Sequence, residues 1–328
     1  MNVRMLHIHC FLGALFTLAL THESVAQSVD ADQQSGVVFK PTSSFGAGSV
    51  KLINGQAVDE QDWRALFVAV IGEYVDKDGR KIPKTCSATL VGRGVALTAA
   101  HCIDAKGNKS TQRKAALQLP GLPTIVFDCA IPAQYLEQEW DPRGPRHPDD
   151  FALCTFTVPD PVPPRIDVRF EALSFAPVGK AASVLMTGFG CKVLAIDANG
   201  LVGVGQDNVL TIGDSVVESA SDGQRFLTTR SNWKTQPALC PGDSGGPLMV
   251  GATTATPTGT RQSPRRIIGV NSNVVPVART SDGYDLISRM APMTSSAFVK
   301  FMADWQQGRS GFTICGAPNA KAGYPCRD

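Results

Sequence analysis

Residues 240–247 read Cys240-Pro241-Gly242-Asp243-Ser244-Gly245-Gly246-Pro247. The serine is flanked by glycines, which leave its hydroxyl open and let backbone N–H groups converge on one point. That pattern predicts a nucleophile beside an oxyanion-binding loop.

A nucleophilic serine needs a base, and the order of residues along the chain limits where it lies. The spacing Gly242-x-Ser244-x-Gly246 also occurs in the nucleophile elbow of α/β-hydrolases, where the base histidine follows the serine. No histidine follows Ser244, so that fold is excluded. Upstream, Thr98-Ala99-Ala100-His101-Cys102 offers His101 directly after an apolar stretch, beside a cysteine able to pin it. The rival, His147, sits in the loop-like Pro145-Arg146-His147-Pro148. Asp150 heads Asp150-Phe151-Ala152-Leu153 and is the natural carboxylate to orient an imidazole. Asp149 competes, but consecutive strand residues face opposite ways and Asp150 is in register with the apolar run. The order His, Asp, Ser emerges.

Short apolar stretches separated by turn residues surround these motifs. They are Leu66 to Tyr74, Cys86 to Val91, Val95 to Thr98, Thr124 to Ala130 and Phe151 to Phe156. In the second half they continue with Ala182 to Thr187, Val209 to Val217, Pro247 to Val250 and Ile267 to Val274. Short strands at close spacing predict an all-β barrel or sandwich, with the proline-rich Pro159 to Pro164 bridging two halves. Thr253 to Pro264 reads as an exposed loop. Only Ser295 to Gln307 reads as a helix, with Phe298, Phe301, Met302 and Trp305 on one face.

The Ala-Ala-His-Cys box, the Asp-x-Ala-Leu strand and Gly-Asp-Ser-Gly-Gly-Pro occur together and in this order. In this the chain resembles the trypsin/chymotrypsin-like serine peptidases over Leu52 to Gln307. The resemblance implies two antiparallel six-stranded β-barrels with the three motifs at the cleft, a C-terminal helix and a short cysteine-containing tail. It assigns Ser244 as nucleophile, His101 as base and Asp150 as the group that holds its tautomer. The N–H groups of Gly242 and Ser244 would form the oxyanion hole.

The resemblance also implies activation by cleavage. Cutting after Lys51 would free an amine at Leu52, in place of the usual isoleucine, to pair with Asp243. In the uncut chain Asp243 is then expected elsewhere, because a buried carboxylate without a partner is costly. At the base of the primary pocket the family position falls on Ala238, which removes the carboxylate that selects Arg or Lys. Ser272 and Val274 stand where the family has Ser-Trp-Gly, and the valine should narrow the pocket toward small or medium aliphatic side chains. Asp285 falls on the pocket wall, either as a cation-attracting group or as a solvated aspartate.

Outside these motifs, the 328 residues carry a net charge of +2, with 43% hydrophobic and 18% charged residues. Such a chain buries a core, which excludes disorder, and it has no basic stripe for nucleic acid. The apolar run Cys10 to Leu20 follows Arg4 and ends at Ser24-Val25-Ala26, too short to span a bilayer and shaped like a secretory signal. The expected division is a signal over 1–26, a propeptide over 27–51, the peptidase domain over 52–307 and a C-terminal extension over 308–328. The destination is extracellular, or periplasmic if the chain is bacterial.

Removing the signal leaves eight cysteines, an even count that suggests disulfides in an exported chain. The resemblance implies Cys86 with Cys102 and Cys191 with Cys240. Elimination leaves Cys129 with Cys154 and Cys315 with Cys326. No two cysteines stand at zinc-ribbon spacing, and neither a metal nor another cofactor is expected. The reading is a secreted serine endopeptidase made as a zymogen. Its partners are a protein or peptide substrate, an activating protease and, as a further class, a macromolecular inhibitor. The alternatives are a catalytically silent binding protein on the same scaffold and an esterase.

Overall fold

In the computed structural model the described residues are 37–40, 52–58, 60–75, 79, 81–104, 112–117, 125–137, 148–156, 169–197, 200–204, 209–219, 225–280, 283–318, 320, 326 and 327. His147 and the Pro159 to Pro164 bridge lie outside them.

The first half runs through β1 (Val37–Lys40), the two-residue β2 (Gln56–Ala57), β3 (Leu66–Val75), β4 (Lys81–Gly92) and β5 (Val95–Thr98). It continues through the one-turn helix α1 (Ala100–Ile103), β6 (Gln112–Leu117), β7 (Ile125–Ala130), the short α2 (Ala133–Leu136) and β8 (Ala152–Thr155). Strands β3 to β8 are the antiparallel staves of a closed barrel, ordered β3-β4-β5-β8-β7-β6. β1 fills the seam between β3 and β6, antiparallel to the first and parallel to the second. The segment expected to be a propeptide thus contributes a seventh stave. Inside the barrel Val68, Ala88, Val95, Leu97, Phe127 and Leu153 are buried. Removing that apolar area from water is the main term favouring closure.

The second half holds β9 (Ser183–Gly188), a separate hairpin of β10 (Val193–Asp197) and β11 (Gly200–Val204), β12 (Thr211–Ser219), β13 (Leu227–Asn232), β14 (Pro247–Val250), β15 (Arg266–Thr280) and β16 (Gly283–Pro292). The order β13-β16-β15-β14-β9-β12, closed by β12 on β13, makes a second six-stranded antiparallel barrel. β2 adds to the other end of β12. The fold is therefore the expected pair of β-barrels.

Helix α3 (Ser296–Gln307) begins at Ser295, whose side chain accepts a hydrogen bond from the Phe298 N–H at 3.0 Å. Its buried face is Phe298, Met302 and Trp305. Phe298 meets Phe151 edge-on with centroids 4.8 Å apart, and Phe301 also packs on Phe151. The helix thereby buttresses the residue next to Asp150. Beyond it the tail returns to the body: Cys315 N–H donates to Val91 O, Cys326 bridges Phe170, and Arg327 N–H donates to Phe170 O. These contacts and the Cys315–Cys326 bridge make the tail a brace on the body.

The tail also closes a buried ionic cluster. Arg265, fully buried, grips Glu171 through Nε at 3.0 Å and Nη2 at 2.5 Å, and stacks 3.6 Å over Trp63. Arg327 Nε approaches the same carboxylate at 3.4 Å. Burial is the main cause holding the Arg327 guanidinium below its ordinary pKa. The loop 253–264 is ordered beside this cluster, with Asp214 accepting from the Thr254 N–H and the Pro257 carbonyl accepting from Arg265.

Disulfides join Cys86 to Cys102, Cys129 to Cys154, Cys191 to Cys240 and Cys315 to Cys326. Cys129 and Cys154 are register partners on β7 and β8. No helix among the described residues is long and apolar enough to cross a membrane.

Candidate active site

His101 is delivered by β5, whose four residues are all buried, and by the single turn of α1. Its neighbour Cys102 is tied to Cys86 of β4, so the turn cannot swing away from the barrel. The His101 N–H donates to Asp150 Oδ1 at 2.9 Å, and Nδ1 lies 2.7 Å from Oδ2. Asp150 is fully buried, while the His101 side chain is 19% exposed. Because a carboxylate only accepts, the pairing puts the histidine proton on Nδ1 and leaves the Nε2 lone pair open. Among the described residues Nε2 meets just the Cys102 sulfur at 3.8 Å, a bridged sulfur with no proton to give.

A third donor holds Asp150. The Ser272 hydroxyl donates to Oδ2 at 2.6 Å, and the Ser272 carbonyl accepts from Ser244 Oγ at 3.0 Å. Ser272 therefore links the serine to the carboxylate. Sequence reasoning placed it in the pocket and missed this bond, since a buried serine on a strand carries no mark of its partner. The Ser244 hydroxyl donates to the Ser272 carbonyl, and among the described residues it makes no hydrogen bond to His101.

The loop around Ser244 is fixed one peptide plane at a time. Pro241 O accepts from Cys191 N–H at 3.0 Å, and Asp243 N–H donates to Cys240 O at 3.0 Å. Asp243 O accepts from Gly246 N–H at 2.9 Å and from Asn271 Nδ2 at 3.3 Å. Ser244 O accepts from Ser87 N–H at 2.6 Å, and Gly245 N–H donates to Asn271 O at 2.8 Å. Gly245 has φ +84°, and a Cβ there would strike Ser87 O and Thr98 Oγ1, so the position takes only glycine. Among the described residues the N–H groups of Gly242 and Ser244 donate to no protein acceptor. In a planar peptide the carbonyl and N–H point oppositely, so the groups holding Pro241 O and Asp243 O aim those two donors.

Asp243 does not lie elsewhere in the intact chain, contrary to expectation. It is fully buried, with Oδ1 accepting from Gly190 N–H and Oδ2 from Cys240 N–H, each at 2.7 Å. Two backbone donors replace much of the solvation that an ammonium was expected to supply. Gly188 and Gly190 admit the carboxylate, for a Cβ on either would overlap it. Leu52 is also buried, and Ile53 exchanges both backbone hydrogen bonds with Ala238 at 3.2 Å. Leu52 has φ +62°, a left-handed conformation that costs a non-glycine residue about 1–2 kcal/mol.

Of the pocket candidates, Ala238 and Val274 meet in one region of the second barrel, whereas Ser272 lies against Asp150 and Asp285 against Arg230. Ala238 is fully buried in a cluster with Ile53, Cys191, Leu194, Cys240 and Leu286, against which the half-buried Val274 packs. Asp285 pairs across the sheet with Asn232, and its carboxylate lies 3.4 Å from Arg230 Nη1. Arg230 also donates to Glu218 at 2.6 Å, the bond that chiefly raises its pKa. Asp285 thus already faces a cation of its own chain.

The grouping of metal-ligand residue types here, Cys86, His101 and Cys102, has both sulfurs in a disulfide and offers no thiolate.

The family model described as Trypsin matches residues 73–294, a span that holds His101, Asp150 and Ser244. The chain belongs to the trypsin family. A solved structure of a Glu endopeptidase in complex with MPD is similar at 14% identity and a TM-score of 0.43, over 77% of this chain and 97% of that one. No curated protein matches the sequence. As a trypsin-family chain with four disulfides, it is built like proteins of oxidising compartments.

Proposed function

We propose that the chain is a secreted serine endopeptidase in which Ser244, His101 and Asp150 act as nucleophile, base and orienting carboxylate. The observation that carries this reading is the loop at Ser244, where, of the N–H groups of residues 240–246, those of Gly242 and Ser244 alone find no acceptor among the described residues. An acceptor arriving from outside, the oxyanion of a tetrahedral intermediate, suits that pair.

Ser244 turns from the Ser272 carbonyl to His101 Nε2, trading one hydrogen bond for another at little net cost. Its Oγ attacks the peptide carbonyl as Nε2 takes the proton. The two N–H groups take up the charge on the carbonyl oxygen, and Asp150 stabilises the imidazolium. Collapse expels the amine, which receives the proton from His101, and leaves an acyl-enzyme. Water then repeats the sequence and releases the acid. Ala238 and Val274 favour small or medium aliphatic side chains at the primary site.

The signal over 1–26 and the propeptide over 27–51 belong to the same reading, with the activating cut after Lys51. Since Asp243 is already held by Gly190 and Cys240, cleavage adds an ammonium and does not build the oxyanion hole. It also removes the torsional strain at Leu52, because φ of that residue is defined by the Lys51 carbonyl.

The test is a serine-directed phosphonylating reagent followed by mass spectrometry, with peptide and ester hydrolysis measured in parallel. The expected result is one adduct on Ser244, lost in Ser244→Ala, with peptide turnover. Folded protein without an adduct would favour a silent binding protein. Ester turnover without peptide turnover would favour an esterase.

A further inference from the structure

We infer that Ser87, a buried residue of β4, is a positioning residue for the oxyanion-binding loop. The inference rests on reading Ser244 as the nucleophile. Ser87 is fully buried and spends each of its polar groups on the site. Its N–H donates to Ser244 O at 2.6 Å, and its hydroxyl donates to Gly242 O at 2.9 Å. The same hydroxyl accepts from Phe189 N–H at 3.2 Å, and its carbonyl accepts from Thr98 Oγ1 at 2.8 Å. One residue of the first barrel thereby touches the serine loop, the Gly188–Gly190 turn beneath Asp243 and the strand that leads to His101.

The bond to Gly242 O decides the role. The peptide plane between Gly242 and Asp243 stands between the two planes that carry the free donors, Gly242 N–H and Ser244 N–H. Its N–H end is held by Cys240 O and its carbonyl end by Ser87 Oγ. With both ends fixed, ψ of Gly242 and φ of Asp243 are fixed, and so is the angle between the two donors. Gly242 itself offers little resistance: at φ +105° it occupies a region open to glycine, where side-chain sterics do not restrain the turn. Without the Ser87 hydroxyl, Gly242 O and Phe189 N–H would each lose a partner in a buried place, and that plane would keep only its N–H anchor on Cys240 O.

Ser87→Ala and Ser87→Thr, the second retaining the hydroxyl, test this. The alanine variant is expected to lose about ten- to a hundredfold in kcat with KM changed less than about twofold. Affinity for a peptide boronate, which places an oxygen in the oxyanion site, should fall by the same factor. The threonine variant should recover most of it. A purely structural serine would lower Tm without splitting kcat from KM, and kcat within about twofold of wild type in folded Ser87→Ala would overturn the proposal. If the wild type neither hydrolyses peptides nor reacts at Ser244, the functional reading fails and Ser87 is judged by amide hydrogen exchange. Faster exchange at Asp243 and Phe189 in Ser87→Ala upholds the clamp, and unchanged exchange at both overturns it.

Discussion

Replacing Asp150 by asparagine puts a neutral amide where the structure requires three acceptances. Oδ1 takes the His101 N–H at 2.9 Å, while Oδ2 takes His101 Nδ1–H at 2.7 Å and the Ser272 hydroxyl at 2.6 Å. An amide has one oxygen and one nitrogen that only donates. If its oxygen keeps the backbone N–H, its NH₂ faces Nδ1, the imidazole proton moves to Nε2, and the base is lost. In the other orientation the NH₂ opposes the His101 N–H in a buried site, which costs about 1–3 kcal/mol. The first arrangement prevails, and kcat should fall about 10⁴-fold, about 5 kcal/mol of barrier. Asp149→Asn should leave kcat within about tenfold, since both histidine contacts go to Asp150. The assay is kcat and KM on one peptide substrate, with thermal unfolding to verify folding. A loss below about tenfold in Asp150→Asn, or a larger loss in Asp149→Asn, refutes the assignment.

Three further outcomes are expected. Arg265→Met strips the buried Glu171 of its bidentate partner and should cost about 3–5 kcal/mol, lowering Tm by about 10 °C, with Glu171→Met/Arg265→Met recovering part of the loss in calorimetry. Burial, with Asp150 and Asp104 nearby, pushes the Tyr135 phenol well above its ordinary pKa, so above about pH 10 the unfolded chain releases this proton and the native one keeps it. Stability should then fall with rising pH by about 1.4 kcal/mol per unit from this group, and urea unfolding of Tyr135→Phe should show a flatter alkaline limb. Lys51→Gln should block the proposed cut yet leave measurable phosphonylation of Ser244, because the intact chain already holds Asp243 in place. A wholly unreactive Lys51→Gln protein would contradict that.

Strands made of apolar runs were legible in the sequence: Val95–Thr98 and Pro247–Val250 have the bounds expected, and α3 begins one residue after its cap. Polar strands were not. β13 reads Leu-Thr-Thr-Arg-Ser-Asn, and β16 mixes Asp285, Ser288 and Arg289 with apolar residues. Their buried hydroxyls find partners outside the strand itself, as when Ser288 accepts from Leu239 N–H and Ser231 donates to Pro237 O. No local pattern announces such a strand. The same limit applied at the site. His101, Asp150 and Ser244 sit in motifs whose chemistry shows in their neighbours, whereas Ser87, Asn271 and the Ser272 hydroxyl act through partners 28 to 155 residues away. The position of Asp243 was misjudged because the Gly190 N–H that stabilises it is 53 residues distant.

The stave supplied by Val37–Lys40 makes covalent and physical boundaries differ in this molecule. A cut after Lys51 would sever the peptide chain between β1 and β3 while leaving the hydrogen-bonded ladder between them intact. The matured particle would then consist of two polypeptides, the shorter one holding shut the seam between β3 and β6. A denaturing gel would register the lost mass, and a native measurement would not.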